Sequence, residues 1–301
     1  MGHHRQMAKS KKKSKKDSAP ASISEVLRIP RGPVDLAAID TRSTPGFDGD
    51  KVAGKEALAA MDAALSELQE RLFAEGRTGG DRRVLLVLQG MDTAGKGGVM
   101  RHTVDLFDPQ GVHIKAFKAP TAEERKHDFL WRIRRELPGP GMIGVFDRSH
   151  YEDVLIGRVR SLATPSTIAR RYDAINRFEA KLADSGTTVV KCMLHISPEE
   201  QKERLLARLD DPTKHWKFNP GDIDERSLWT DYREAYELAL ERCNTDAAPW
   251  HVVPSDRKWY RNWAVAALLL ETLRGMEPGW PPADFDVEAQ RARLLGEDPV
   301  A

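Results

Sequence analysis

The chain has 301 residues, of which 40% are hydrophobic and 31% are charged, values that describe a globular protein with a sizeable core. This composition, with only two cysteines (Cys192 and Cys243) and no apolar run near the roughly 20 residues of a membrane span, excludes disulfide scaffolds, membrane channels and collagen-like fibres and favours a cytoplasmic location. The net charge of +1 divides into +6 over residues 1–22 and −5 over the remainder, which is not the distribution of a DNA- or RNA-binding domain.

The first two segments of the chain differ in composition. Residues 1–24 are rich in Ser and Lys and poor in apolar residues, which predicts a disordered basic tail. A solvated tail is the favoured interpretation, and an arm that attracts polyanions is the alternative. In the following segment, residues 25–82, apolar residues recur at three- and four-residue steps from 55 to 75. This spacing predicts an N-terminal helical extension whose apolar stripe packs on the body.

From residue 83 onward, short apolar runs alternate with helical patterns. Strands are predicted at residues 84–88, 113–119, 142–146, 187–196 and 250–253. Helices are predicted at residues 95–107, 121–137, 151–160, 167–184, 198–209, 222–242 and 257–274. This alternation predicts an α/β fold with a five-stranded parallel sheet and right-handed crossovers. Residues 276–301 contain many prolines and are predicted to form an irregular tail.

The loop after the first predicted strand has the G-x-x-x-x-G-K pattern of a phosphate-binding loop in the strand–loop–helix context that the pattern requires. It reads Gly90-Met91-Asp92-Thr93-Ala94-Gly95-Lys96-Gly97. Small residues let backbone N–H groups surround an anion, and Lys96 adds a full positive charge. Gly97 stands where a Ser or Thr normally binds Mg²⁺, so either the metal is lost or Asp92 supplies that ligand. A glycine-rich turn without a ligand is the alternative, which the context disfavours.

A second group of charged residues follows the third predicted strand. The segment reads Phe146-Asp147-Arg148-Ser149-His150-Tyr151-Glu152-Asp153. Ligands collect at the carboxyl ends of parallel strands, so we expect Asp147 beside the glycine loop. There Asp147 is a candidate ligand of Mg²⁺ and Arg148 a candidate ligand of a phosphate oxygen. The alternative for Asp147 is a helix cap at the strand end.

Two further clusters of cations are candidates for binding an extended polyanion. Arg204 and Arg208 share one helix face, and Lys214 and Lys217 follow in a loop, which suggests a mobile lid over residues 204–222. A solvated charged helix is the alternative interpretation of the lid. The other cluster lies between residues 115 and 135 and includes Lys118 and Arg132. It forms either a cationic groove or the exposed face of one helix.

With these residues in view, the chain resembles the second polyphosphate kinase family, which are P-loop kinases that take inorganic polyphosphate as phosphoryl donor. The resemblance runs from about residue 28 to residue 263. It depends on the glycine loop 90–98, on Pro109-Gln110-Gly111, on Phe117-Lys118-Ala119-Pro120, on residues 127–132 and 146–154, and on the lid. No zinc-protease, acyl-transfer, dinucleotide-binding or guanine-binding motif competes with this interpretation.

The resemblance implies a thymidylate-kinase-like, three-layer P-loop kinase core over residues 83–275 with a helical lid. It implies that Asp92 and Asp147 hold Mg²⁺, with Mn²⁺ as the alternative ion, and that Arg204 and Arg208 contact the transferring phosphates. The residues expected to bind nucleotide or polyphosphate are Lys118, Arg132, Glu152, Lys214 and Lys217. Assembly into homodimers or tetramers is also implied, without a nucleic-acid or membrane partner.

The activity implied by the resemblance is reversible, Mg²⁺-dependent phosphoryl transfer from inorganic polyphosphate to AMP or ADP, giving ADP or ATP. Family members that accept AMP as well as ADP resemble this chain at Glu152 and at His150. ADP-specific members usually carry Asn at the first of these positions and commonly carry Trp at the second. We therefore assign catalysis to Asp92, Lys96, Asp147, Arg148, Arg204 and Arg208. An ATP-dependent nucleoside monophosphate kinase and a non-catalytic polyphosphate- or nucleotide-binding protein are the alternatives.

Overall fold

Five parallel strands form the centre of the computed structural model, which describes residues 22–297. They are β1 (Arg83–Gln89), β2 (Val112–Ala116), β3 (Ile143–Asp147), β4 (Thr187–His195) and β5 (Trp250–Pro254). Their order across the sheet is β2-β3-β1-β4-β5, and every neighbouring pair is parallel. The five-stranded parallel sheet predicted from the sequence is confirmed. The predicted disordered tail lies almost wholly outside the described residues.

The central strand β1 determines where the loops after the strands meet. Its side chains from Val84 to Leu88 are fully buried, as a strand covered on both faces requires. In the strand register Leu88 lies opposite Asp147 of β3 on one side and Cys192 of β4 on the other. The carboxyl ends of these three strands therefore lie at one edge of the sheet, where a parallel α/β fold binds its ligands.

Helices connect the strands and cover the sheet. The described residues form α1 (Ile23–Leu27), α2 (Lys51–Ala59), α3 (Asp62–Arg77), α4 (Lys96–His102), α5 (Trp131–Arg134), α6 (Ile156–Val159), α7 (Pro165–Asp184), α8 (Pro198–Asp210), α9 (Gly221–Ser227), α10 (Trp229–Arg242), α11 (Lys258–Met276) and α12 (Val287–Gly296). The apolar helix α11 packs against α1, α2, α3 and α4, whereas α7 packs on β4. Within this described part of the chain, no helix combines the length and the apolar character that crossing a membrane would require.

The N-terminal extension contains two consecutive helices, not the single helix predicted for residues 55–75. The Asp50 side chain accepts hydrogen bonds from the N–H groups of Val52 and Ala53 and so starts α2 earlier than the apolar spacing indicates. At Gly54, α2 lies so close to α11 that a Cβ atom would overlap the Trp259 ring. Helix α2 therefore packs through a close approach of its backbone to α11. The spacing of apolar residues does not predict a contact of this kind.

Two long predicted helices are interrupted in the structure. In the segment predicted as a helix over residues 121–137, Thr121 and Glu124 do form the predicted capping box, but only the 3₁₀ turn Glu124–Lys126 follows. The Asp128 side chain then accepts the Leu130 N–H and starts the separate helix α5. The predicted helix over residues 222–242 is likewise divided, at Leu228, into α9 and α10.

The C-terminal segment was predicted to be irregular, and this prediction is wrong for its last part. Residues 287–296 form α12, because Asp286 accepts the Ala289 N–H as an N-cap and strong helix formers follow it. No residue of α12 is buried. The prolines at positions 278, 281 and 282 precede this helix and restrict only the segment that leads to it.

Candidate active site

The glycine loop connects β1 to α4 and has the backbone conformation of an anion-binding loop. Thr93 and Gly95 have positive φ values of +66° and +112°, whereas Ala94 between them does not, and such an alternation is typical of an anion-binding loop. Lys96 begins α4 and is only 8% exposed, and its Nζ donates to the carbonyl oxygen of Gly90 at 2.9 Å. The structure thus brings the predicted phosphate-loop residues together in one turn.

Arg148 lies directly beside this loop, as predicted. Its main-chain N–H donates to the Leu88 carbonyl at 3.0 Å, and its φ of +63° turns the side chain away from the strand direction. The guanidinium Nη2 donates to Asp92 Oδ1 at 2.8 Å. Burial disfavours the charge of Arg148, but the neighbouring Glu152 and Asp92 outweigh burial and raise the pKa of Arg148. Arg148 is therefore a fixed cation that joins the end of β3 to the loop.

The two predicted metal ligands lie at the same edge of the sheet. Burial and then the charge of Arg148 lower the pKa of Lys96, whereas Asp147 and Asp92 both oppose that lowering. Both carboxylates therefore lie close enough to act on one ammonium group. Asp147 is the last residue of β3 and lies opposite Leu88, and Asp92 lies in the loop that begins two residues after Leu88.

The carboxylates of Asp92 and Asp147 suit a magnesium ion that is shared with a substrate. Among the described residues, no hydrogen bond is donated to the Asp147 carboxylate, and Arg148 donates to the Asp92 carboxylate. Within residues 22–297 there is no group of three or more acidic, His or Cys side chains that would bind a metal ion alone. Magnesium is commonly held by one or two carboxylates together with water and substrate phosphates, so two carboxylates beside a phosphate loop fit this ion.

A cavity of about 270 Å³ lies between the glycine loop and the lid. Its lining combines charged side chains with apolar and aromatic ones, as nucleotide-sized pockets do. The lining residues are Gly90, Met91, Asp92, Arg148, Glu152, Leu155, Ile156, Gln201, Asn219, Gly221, Asp222, Glu225, Trp229, Tyr232 and Tyr236. Burial raises the pKa of the Glu152 carboxyl, and burial followed by the nearby Asp92 raises that of Asp222.

Glu152 is held at the cavity wall by a residue that the sequence analysis did not single out. The Gln89 amide, oriented with its nitrogen toward Glu152, donates to Glu152 Oε1 at 3.1 Å and accepts from the Ser149 hydroxyl and N–H, each at 3.1 Å. Gln89 is fully buried at the end of β1. Glu152 therefore occupies a defined position between the strand end and the cavity.

Arg204 takes a different position from the one predicted for a phosphate ligand. It is 8% exposed, and its Nη1 donates to the carbonyl oxygens of Thr93 (2.8 Å) and Ala94 (3.1 Å). Its Nη2 donates to the carbonyls of Ser255 and Asp256, and its Nε donates to Glu200. All its donors are used, because helix α8 packs this face against the rear of the loop. In this structure Arg204 holds the loop and does not line the cavity.

The other lid cations lie outside the cavity wall. Arg208 donates to the Lys217 carbonyl at 3.0 Å and lies 3.5 Å from Asp222, which does line the cavity. Lys214 pairs with Asp211 at 2.7 Å, and the Lys217 ammonium lies over the Trp216 ring at 4.8 Å. Arg208 thus borders the cavity through Asp222, and the two lysines are exposed lid cations.

Several cations of the cluster between residues 115 and 135 pair with neighbouring carboxylates. Lys115 pairs with Glu136 at 2.6 Å. Arg132 is 7% exposed, donates to the Lys118 carbonyl at 2.7 Å and lies 3.6 Å from Asp153. Lys118 is exposed. Arg132 is therefore held between the segment after β2 and the turn after β3, whereas Lys118 is open to a ligand.

The structure adds residues from α10 that the sequence analysis missed. The Tyr236 hydroxyl accepts the Gly90 N–H at 3.1 Å, which fixes the start of the loop. Tyr232 donates to Glu225 at 2.6 Å at the cavity wall. Both tyrosines are about 140 residues from the loop in sequence and lie in an ordinary amphipathic helix, so no local pattern marks them.

Comparisons with known proteins show which family this chain resembles in sequence and fold. A family model described as Polyphosphate kinase 2 matches residues 48–280. An AMP/ADP-polyphosphate phosphotransferase from Meiothermus ruber is 46% identical over 84% of this chain and 93% of its own length. An ADP-polyphosphate phosphotransferase from Rhodopseudomonas palustris is 40% identical over 87% of this chain and 92% of its own. A crystal structure of polyphosphate kinase 2 from Arthrobacter aurescens has a TM-score of 0.90 and 57% identity, covering 92% of this chain and 98% of that one.

Proposed function

The chain belongs to the polyphosphate kinase 2 family, and we propose that it catalyses phosphoryl transfer from inorganic polyphosphate to AMP or ADP. The observation that carries this proposal is the meeting of the glycine loop with Arg148 and Glu152 at one cavity beneath the lid. The names of the relatives described above, as AMP/ADP- and ADP-polyphosphate phosphotransferases, support the same activity.

Positioning and charge neutralisation are sufficient for this chemistry. The acceptor is already an anionic phosphate oxygen, so the reaction needs no strong general base. The loop N–H groups and Lys96 hold phosphate oxygens, and Arg148 stabilises negative charge on the transferring group. One phosphoanhydride is exchanged for another, so the reaction is reversible and follows the substrate ratio. Arg208 acts as a lid cation, and Arg204 acts by holding the loop carbonyls.

We assign magnesium to the carboxylates of Asp92 and Asp147, with Mn²⁺ as the alternative ion. A divalent ion held there would neutralise negative charge on the phosphate groups. The protein's contribution is to hold two carboxylates beside the loop, one of them oriented by Arg148. Loss of either carboxylate removes a large part of the ion's binding energy, because the remaining ligands belong to substrate and water.

We propose that both AMP and ADP are acceptors and that Glu152 influences the choice between them. Glu152 lines the cavity, whereas His150 is fully buried with its Nε2 3.1 Å from Glu179. Of these two residues, Glu152 is the one placed to face an acceptor. A carboxylate at the cavity wall repels the additional phosphate of ADP more than it repels AMP.

Phosphorus NMR of a mixture of AMP, long-chain polyphosphate, Mg²⁺ and protein, without ATP, tests this function. We expect loss of polyphosphate and growth of ADP and ATP resonances. The matched control is the Lys96→Met protein under the same conditions. Phosphorylation of AMP only when ATP is supplied would instead identify an ATP-dependent nucleotide kinase, and binding without turnover would identify a non-catalytic protein.

Three further properties stay predictions of the family membership. They are assembly into homodimers or tetramers, a cytoplasmic location, and the lack of a nucleic-acid partner. Size-exclusion chromatography with light scattering measures the first of them directly.

A further inference from the structure

A second buried arginine lies behind the glycine loop and takes no part in the chemistry described above. Arg261 is in the first turns of α11 and is 3% exposed. Its Nη1 donates to the carbonyl oxygen of Ala94 at 3.3 Å, and its Nε and Nη2 donate to Asn262 Oδ1 at 3.2 Å and 2.8 Å. Arg261 thus contacts the loop from the side opposite to the N–H groups.

Two glycines of the loop region accommodate this guanidinium. A Cβ atom at Gly95 would overlap Arg261 Nη1, and a Cβ atom at Gly98 would overlap Arg261 Nη2. Gly95 also has a positive φ, but Gly98 lies in α4 with ordinary helical geometry, so its backbone conformation does not call for glycine. The contact with Arg261 is the structural reason for Gly98.

The loop carbonyls are therefore held by two guanidinium groups from two different helices. Arg204 of α8 binds the carbonyls of Thr93 and Ala94, and Arg261 of α11 binds that of Ala94. The N–H of the peptide between Thr93 and Ala94 donates to the Met91 carbonyl at 3.0 Å, so this peptide is held within the loop. The peptide between Ala94 and Gly95 has its carbonyl held by both arginines, and its N–H points to the opposite side. Cations behind the loop consequently orient this N–H group toward a bound anion.

The charge behind the loop is not balanced within the described chain. Arg204 pairs with Glu200 at 2.8 Å, whereas none of the carboxylates among residues 22–297 forms an ion pair with Arg261. Burial, and secondarily the proximity of Arg204, lowers the pKa of Arg261 to about 9, so the group remains charged at neutral pH. Glu200 acts on both arginines but pairs with Arg204, so one positive charge is left over behind the loop, and an anion on the front of the loop balances it.

We propose that Arg261 is a positioning residue of the phosphate loop, which orients the loop from behind and whose charge is balanced by the bound phosphate chain. This inference depends on the proposed phosphate site. It assigns to Arg261 an effect on anion binding that a purely structural arginine would not have. Removing the charge weakens anion binding, so the stability that a bound phosphate chain adds to the protein falls.

The experiment uses tripolyphosphate as the probe and compares Arg261→Met with Arg261→Lys. Isothermal titration should give a Kd about tenfold higher for R261M, the scale of one unit-charge interaction at a high effective dielectric constant. R261K keeps the charge and should stay within about threefold of the wild type. The rise in Tm caused by tripolyphosphate should shrink in R261M, and the matched control Arg274→Met, an exposed arginine of the same helix, should behave as the wild type.

A second variant reaches the same contact from the other side. Gly98→Ala displaces Arg261 Nη2 and should also raise the Kd for tripolyphosphate. Because both changes remove the same interaction, the G98A/R261M double variant should bind tripolyphosphate only slightly more weakly than R261M. This comparison also covers the case in which R261M alone does not fold, since G98A retains the arginine.

An unchanged Kd and an unchanged ligand-induced rise in Tm for R261M would overturn the proposal, as would an R261K protein that binds as weakly as R261M. These readouts do not involve turnover. If the wild type binds tripolyphosphate but transfers no phosphoryl group, the proposed function fails while the role of Arg261 stands. If the wild type transfers phosphoryl groups but R261M binds tripolyphosphate as tightly as the wild type, the proposed function stands and the role of Arg261 fails.

Discussion

Two groups of buried charged residues in this molecule differ in how their charge is balanced. One lies between α7 and β4, where the fully buried Lys191 ammonium donates to Glu179 at 2.7 Å, to the Tyr151 hydroxyl at 2.8 Å and to the Cys243 carbonyl at 2.8 Å. The other lies behind the glycine loop, where Arg204 and Arg261 share the single carboxylate of Glu200. The first group is neutral as a pair, and the second carries excess positive charge.

This difference distinguishes buried charges that stabilise the fold from buried charges that act on a bound ligand. A cation that is paired with a carboxylate inside the protein has no charge left to offer a ligand, and its removal mainly costs stability. A cation whose neighbours are carbonyl oxygens keeps its field, and a bound phosphate benefits from it. We therefore expect changes to the first group to affect folding and changes at the loop edge to affect activity.

The largest expected effect is on stability, from Lys191→Met. The change leaves the Glu179 carboxylate buried without its ion-pair partner, and we expect the free energy of unfolding to fall by about 3–5 kcal/mol. Urea denaturation at neutral pH measures it. The control is Lys181→Met, an exposed lysine of α7. A loss below about 1 kcal/mol would contradict the structural role of this pair, since truncating a buried ion pair costs more than that.

The next effect is on turnover, from Asp147→Asn. We expect kcat for AMP phosphorylation to fall about a hundredfold or more, the scale for deleting one main electrostatic contributor. Stability should hardly change, because within the described residues no side chain donates a hydrogen bond to this carboxylate. Steady-state kinetics across a range of Mg²⁺ concentrations measures the loss, with Asp105→Asn as the exposed control. Near-normal turnover would remove Asp147 from the metal site.

A smaller effect concerns pH and a residue next to the balanced pair. His251 is 5% exposed, its Nδ1 lies 3.2 Å from the Lys191 carbonyl, and burial lowers its pKa to about 4. Between this value and the ordinary pKa of about 6.5, the unfolded chain binds a proton that the folded chain excludes, so stability falls as the pH falls. From pH 7.5 to pH 5 this group should cost about 2 kcal/mol.

Urea denaturation at the two pH values checks this loss. His251→Gln should remove that part of the pH dependence, whereas His102→Gln, at an exposed position, should retain it. Equal acid sensitivity of the wild type and H251Q would show that His251 is not the group responsible.

The smallest expected effect is on acceptor choice, from Glu152→Asn. Removing this carboxylate reduces the repulsion of the more highly charged acceptor, so we expect the ratio of kcat/KM for AMP to that for ADP to fall about tenfold. Kinetics with each nucleotide at saturating polyphosphate measures the ratio. Glu225→Gln provides a second cavity carboxylate for comparison. A parallel loss with both nucleotides would mean that Glu152 does not discriminate between them.

Local sequence patterns were sufficient to predict the main strands and helices of the fold. The alternation of apolar strands with helices predicted the five parallel strands to within a few residues, because hydrophobic periodicity reflects local backbone geometry. Helix interruptions at Leu228 and after Lys126 were not predicted, because side-chain caps and packing decide them. The predicted irregular tail likewise missed α12, whose N-cap is a single aspartate.

The sequence by itself determined which residues form the anion loop and that Asp92, Lys96, Asp147 and Arg148 gather at one edge of the sheet, because each follows a strand or opens a helix in a parallel α/β fold. Only the tertiary structure decided that Arg204 faces the rear of the loop, that Tyr236 fixes its first amide and that Arg261 lies beneath it. The direction of a long side chain depends on distant packing, and residues more than 100 positions apart share no local pattern.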